Sequence, residues 1–415
     1  MSTYFTLLGL RQQGINAEII QFPLTKNDIL RGEEVPVHYT KSPWEHKFCY
    51  TPSYKNDILK LGKYDIYHAQ GVWQWPTYAL VDTAQQIGKP YLITPRGMLY
   101  PQDIAKSNTM FKKLSLKLRL LQDLNNAACI HVTCMDELHH CRKLGITSPI
   151  GIIPNPVEIK KYPCYKQDEK FRLGYLGRIS RRKNIQGLIQ ACINLGEEMK
   201  DKELLIIGDG DKEYMEELHK LANQIKYGTI RFTGFLNGKE KDEALASCSV
   251  LVMPSEFENL GNVILEGLVR KIPCIATTGS PWEELKSYQC GWWVTYNQDS
   301  ITEAIQQAIN TPHKKLKDMG ERGRELMERH YSVEAVATKM KRLYKWILKE
   351  EEKPELYTKT INMELNIAEN RNHLNYSKWI YVKRILWTFG KFFFRNSPRI
   401  ASDTEIRYYA YSELK

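Results

Sequence analysis

The chain has 415 residues, of which 42% are hydrophobic and 26% charged, with a formal net charge of +11. That length suggests two domains with something added, and charge interrupts every apolar run short of the roughly 18 residues that a spanning helix needs. The cationic excess predicts anionic partners, and because no RNP, zinc-finger or basic-zipper pattern occurs, it points to phosphorylated substrates or anionic lipid rather than nucleic acid.

Taken in chain order, "STYFTLLGLRQQG" reads as a helix with no cleavage pattern around it, so the expected location is cytoplasmic. Short apolar runs then alternate with helix-period segments. Strands are predicted at 17–22, 65–69, 90–94, 128–133 and 150–154, and again at 171–177, 203–208, 229–234, 249–254, 272–277 and 291–294. Strand–helix–strand repeats of this kind mean parallel sheets covered on both faces. The predicted fold class is therefore α/β, with two doubly wound, Rossmann-like domains. The first spans 1–160 and the second 171–330, with a linker at 161–170 inside a Pro- and Lys-rich stretch (152–170) where the alternation pauses. In such domains ligands sit at the carboxyl ends of strands, so a shared ligand would lie in the cleft between them.

Two segments of the first half carry rival readings. "FKKLSLKLRLLQDL" (111–124) places Phe111, Leu114, Leu118 and Leu121 at helical spacing among lysines. Lipid contact is one reading, and a core helix with a solvated basic face is the favoured one. "CIHVTCMDELHHC" mixes three Cys and three His, yet its spacing matches no structural zinc pattern. A strand would send Cys129 and His131 to one face and Cys134 to the other. A buried strand running into a helix is the expectation, with no metal. The nine cysteines include no CxxC and read as reduced, buried thiols.

The second half carries the chemistry. "YLGRISRRKN" puts Gly177 and Arg178 at a strand end, with Lys183 and Asn184 just before a helix. Backbone N–H groups at a helix start attract anions, and Arg and Lys there could grip a diphosphate. "IGDGDKEY" offers only GxG, which argues against a nicotinamide dehydrogenase. "SEFENLGNVILEG" (255–267) places Glu258 in a loop after a strand and Glu266 one turn inside an apolar helix. A carboxylate on such a helix is costly without polar partners, and the diol of a ribose would serve. Glu258 could hold sugar hydroxyls likewise. A glycosidase pair is the rival, but eight helical residues would separate the carboxylates by roughly 12 Å, beyond the usual range for that chemistry.

"LGYLGRISRRKN", "LLIIGDGD", "IRFTGFL", "VLVMPSEFENLGNVILEGL" and "PCIATTGSPWEEL" resemble the C-terminal half of family 4 glycosyltransferases, of the GT-B fold. "YDIYHAQGVW", "PYLITPRGML" and "GIIPNPVE" are similar to the N-terminal half, so the likeness covers roughly residues 1–348. It implies a metal-independent, retaining transferase with no cofactor, acting on a nucleotide-diphosphate sugar. Glu266 would hold the nucleotide ribose, Glu258 the donor sugar, and Arg178 and Lys183 the diphosphate beside Gly177. Asn259, Leu260, Gly261 and Asn262 would offer backbone N–H groups, and the base would lie near Phe235 and Leu236. The helix at 331–350 would cross back to the first domain.

Three departures from the family pattern stand out. The family opens with a strand and a Gly-rich loop, whereas Met1 already stands at the first helix, so both are expected to be missing. Where many members place a His facing the reaction, this chain has "TPRGM", making Arg96 and Gly97 the acceptor-side candidates. His68 is the other candidate, with an acceptor role and a structural role both open. Lys271 stands where the family ends a helix in Gly, which as a left-handed cap would cost about 1 kcal/mol.

The extension at 351–415 passes beyond the family pattern. Within it, "YSKWIYVKRILWTFGKFFFRNSPRI" (376–400) carries six basic residues and no acid, with aromatics between them. An anionic membrane surface and the protein's own surface are both open as its partner. The expectation is a cytoplasmic, membrane-peripheral glycosyltransferase acting on a glycan or lipid-linked acceptor for surface polysaccharide. The rivals are a nucleotide-sugar epimerase or hydrolase, and an inactive nucleotide-sugar-binding subunit.

Overall fold

The computed structural model describes residues 2–23, 34–43, 48–163 and 170–354. Contacts divide the chain into a compact unit, Met1–Tyr357, and a second, Thr358–Lys415, which lies outside the described residues together with the basic aromatic stretch 376–400.

Three parallel sheets order the first unit. Strands β1 (Ile19–Gln21) and β2 (Val37–Tyr39) form a two-stranded pair. β3 (Tyr67–Gln70), β4 (Tyr91–Thr94), β5 (Cys129–Val132) and β6 (Ile150–Ile152) lie side by side in that order. The remaining six are β7 (Arg172–Leu176), β8 (Glu203–Ile207), β9 (Thr229–Gly234), β10 (Val250–Met253), β11 (Cys274–Thr277) and β12 (Gly291–Val294). Their order is β12-β11-β10-β7-β8-β9. Every strand read from the sequence is present; β2 was not among them. It is three residues long and lies behind a proline, too short to show alternation.

The central strands β4, β5, β8, β10 and β11 are buried along their whole length, as apolar runs covered on both faces must be. Helix Val333–Ile347 returns to the four-stranded sheet. Its Val336, Ala337, Met340 and Leu343 close a core with Leu10, Leu92, Cys129 and Ile153. It crosses helix Ser2–Gln12 so closely that a Cβ on Gly9 would stand 2.7 Å from both the Ala337 Cβ and the Val333 carbonyl oxygen.

One expectation is overturned. The segment 111–124 is not a core helix with its Phe111–Leu121 stripe inward. Helix Thr109–Ser115 runs into a wide π turn, Leu116–Leu120, then a last turn, Leu121–Asn125. The wide turn shifts the helical phase, so Leu120 and Leu124 are fully buried while Phe111, Leu114 and Leu118 face solvent. Arg119 follows the buried leucines inward, with 2.8 Å to Asp123 and a further contact to Asp82.

Candidate active site

β7 and β10 are neighbours, yet the chain leaves them toward opposite sides of the sheet, β7 for β8 and β10 for β11. A crevice opens beyond the carboxyl ends of such a pair. The loops after these two strands hold most of the residues singled out above.

After β7, Gly177 and Arg178 are half-buried, and a short turn, Arg181–Lys183, leads to Asn184. Asn184 takes a left-handed conformation (φ 53°), which Asn tolerates, and its Oδ1 accepts from the Gly187 N–H at 3.2 Å to cap helix Ile185–Asn194. After β10, the Glu256 N–H donates to the Arg182 carbonyl at 3.0 Å, tying the two loops together. The Glu258 N–H donates to the Gly279 carbonyl at 2.8 Å. Its buried carboxylate meets the Lys183 ammonium across the crevice. Leu260 is pinned by the indole N–H of Trp282, which is itself fully buried. Gly261, at φ 72°, then starts helix Asn262–Val269.

Glu266 lies on that helix but is not starved of partners. It is half-buried and accepts from Lys241 at 2.8 Å, with Arg270 at 3.9 Å. Its burial therefore has cationic partners within the protein and does not by itself demand a ribose diol. Lys241 comes from helix Gly238–Ala246, which follows Phe235 and Leu236. Phe235 is 52% exposed, whereas Leu236 packs on the core behind β10.

The acceptor-side candidates separate. Arg96 (φ 57°) spreads its guanidinium over three partners, Gln70 Oε1 at 2.9 Å, Asn155 Oδ1 at 2.5 Å and Thr3 Oγ1 at 3.0 Å. Asn155 in turn donates to Asn262 Oδ1 at 2.9 Å, carrying the link to the start of helix Asn262–Val269. Gly97 (φ 76°) donates its N–H to Glu137 at 2.5 Å, and a Cβ there would stand 3.0 Å from the Asn259 Cβ. Only glycine meets both the backbone angle and that approach. Tyr100 adds an O–H donated to Asn259 Oδ1 at 3.2 Å, with its ring between His140 and Phe257. Loops of the four-stranded sheet thus touch the loop after β10.

His68 is spent on the fold. The Ile153 carbonyl accepts from Nε2–H of His131 at 2.8 Å, which leaves His131 Nδ1 to accept from Thr94 Oγ1–H at 2.9 Å. Thr94 Oγ1 then accepts from His68 Nε2–H at 2.7 Å, and His68 Nδ1 accepts from the Tyr344 hydroxyl at 2.7 Å. With both rings neutral, the Ile153 carbonyl fixes the direction of every hydrogen bond in this relay. Burial holds the His68 pKa well below the usual imidazole value, with His131 and Arg96 adding to it. Burial, helped by Arg96, brings His131 down to about 3.

Lys241, Asn155, Tyr100 and Trp282 escaped the sequence reading. Only Trp282 left a signal, as a large ring with an N–H that needs a partner once buried. Among the described residues the eight free cysteines are all buried, and no group of three or more His, Cys, Asp or Glu is placed to hold a metal.

Residues 160–326 match the family model described as "Glycosyl transferases group 1". The uncharacterized glycosyltransferase MJ1607 of Methanocaldococcus jannaschii is 32% identical over 35% of this chain and 37% of its own length. The lipopolysaccharide core biosynthesis glycosyltransferase LpsE of Rhizobium meliloti is 31% identical over 39% of this chain and 46% of its own length. The chain thus spans less than half the length of these two relatives. Anabaena Alr3699/HepE, solved in complex with UDP-glucose, superposes with a TM-score of 0.65 at 15% identity, covering 83% of this chain and 95% of that one, and so shares its fold. Residues 160–326 thus match the group 1 glycosyl transferases, and the chain has the GT-B fold of its solved neighbours.

Proposed function

We propose that the protein transfers a sugar from a nucleoside-diphosphate sugar to a glycan or lipid-linked acceptor, with retention, in the synthesis of a surface polysaccharide. The observation that carries this reading is the meeting of Lys183 and Glu258 at the crevice between β7 and β10, on loops tied to each other.

The chemistry follows from the residues. As the bond from sugar to phosphate breaks, negative charge builds on the leaving diphosphate. Arg178, Lys183 and the first N–H groups of helix Asn262–Val269 are preorganised cations and dipoles for that charge. The carboxylate of Glu258 accepts from sugar hydroxyls, and Glu266, held by Lys241, accepts from the ribose. This reading assigns the charge work to side chains and backbone and asks for no metal or cofactor. The UDP-glucose bound by Anabaena HepE supports the donor class, and the name of the Rhizobium relative supports the acceptor class.

Product analysis tests it. The purified chain is incubated with UDP-glucose, UDP-N-acetylglucosamine or GDP-mannose and a polyprenyl-diphosphate-sugar acceptor, with and without EDTA. A new glycoside, formed equally in both, is expected. Free sugar or an isomerised donor without glycoside would replace this reading with hydrolase or epimerase chemistry.

A further inference from the structure

We propose that the outward face of residues 106–118 is a docking surface for an anionic lipid bilayer. Among the described residues ten large apolar side chains are exposed, and four of them fall within nine consecutive positions. Met110 is 75% exposed, Leu114 46%, Leu118 40% and Phe111 39%. They recur at steps of one, three and four residues along helix Thr109–Ser115 and the π turn, so they form one stripe.

The charges around the stripe decide what covers it. No acid occurs between Asp103 and Asp123. Two of the five basic residues there turn inward: Lys112 donates to the Asp103 carbonyl at 2.5 Å and lies over the Trp73 ring, and Arg119 is ion-paired with Asp82 and Asp123. The other three, Lys106, Lys113 and Lys117, are exposed, and among the described residues none of them has an ion pair. An apolar stripe edged by unpaired lysines, on a helix with no buried residue, matches acyl chains below and anionic headgroups beside it. The lysines reach outward on long apolar stems while the stripe enters the interface.

The position is apt for the site already described. Helix Pro101–Lys106 directly precedes the stripe, and its Asp103 lies 3.7 Å from Arg182, next to Lys183. A docked chain would therefore hold the crevice close to the bilayer, where a lipid-linked acceptor lies. That last link rests on the proposed function; the docking itself does not.

The experiment uses the full chain and vesicles of phosphatidylcholine with or without 30% phosphatidylglycerol. Two variants accompany it, one with Met110, Phe111, Leu114 and Leu118 all changed to Ser, the other with Lys106, Lys113 and Lys117 changed to Glu. Wild type should sediment with anionic vesicles at least tenfold more strongly than with neutral ones, and each variant should lose at least tenfold. An NBD label on Leu114→Cys should shift to the blue and be quenched by brominated acyl chains. The proposal fails if wild type binds neither vesicle, if both variants bind as wild type does, or if the label is not quenched. It also fails if lipid-free wild type is a dimer that the apolar variant dissociates, since a second copy then owns the face. Sugar transfer is not read in this assay, so its failure and that of the proposed function are separable.

Discussion

Lys183 and Glu258 are each other's counter-ion in a place where neither can easily find another. Both side chains are largely out of solvent, at 20% and 9% exposure. Removing one partner strands the other, so Lys183→Ala should lower stability by about 3 kcal/mol in urea denaturation, and adding Glu258→Gln should restore most of it. The histidine chain makes a second prediction at this scale. Unfolded, His131 titrates near the usual imidazole value; folded, burial holds it at about 3. Above about pH 6.5 both states are neutral; below that, the unfolded chain takes a proton that the folded chain refuses. Stability should fall with pH through that window, by about 2 kcal/mol at pH 5 from this group alone. His131→Gln should flatten the slope, measured as urea midpoints at pH 7.5 and 5.0. The charged residues of the crevice were legible because polar side chains directly after apolar runs are conspicuous. Asn155 and Lys241 were not, because their partners, Arg96 and Glu266, come from segments 59 and 25 residues away.

The elements were read well where apolar runs were buried on both faces and poorly where two apolar stripes competed. In 109–125 either set of leucines makes a helical face, and only the inward ion pairs of Arg119 favour the one that is buried. The cap at Lys271 was read from the sequence and is present: φ is 62°, and the Ile272 N–H reaches back to the Gly267 carbonyl at 3.0 Å. Lys271 also pairs with Glu321 at 2.8 Å, an exposed contact that offsets little of the strain. Lys271→Gly should raise stability by up to about 1 kcal/mol in thermal melts. Gly9 behaves in the opposite way. Ala favours a helix by about 1 kcal/mol over Gly, but its Cβ would collide with helix Val333–Ile347. Gly9→Ala should therefore lower the melting temperature, and a rise would show that the two helices can part at no cost.

At the scale of the molecule, the two large sheets meet through a few loop residues. Gly97 approaches Asn259, Tyr100 donates to its amide, and Arg96 reaches Asn262 through Asn155. Gly97→Val combines a side chain at positive φ with a push on Asn259, so it should weaken nucleotide binding several-fold in calorimetry. The central claim is that the crevice between β7 and β10 binds a nucleoside diphosphate through Lys183 and Glu266. Thermal stabilisation of the full chain by UDP, GDP and ADP, without added metal, tests it most directly. One of the three, at about 100 times its dissociation constant, should stabilise wild type by roughly 2.7 kcal/mol, and at least tenfold more of it should be needed for Lys183→Ala or Glu266→Gln. No stabilisation of wild type by any of them, or equal stabilisation of both variants, would contradict the account.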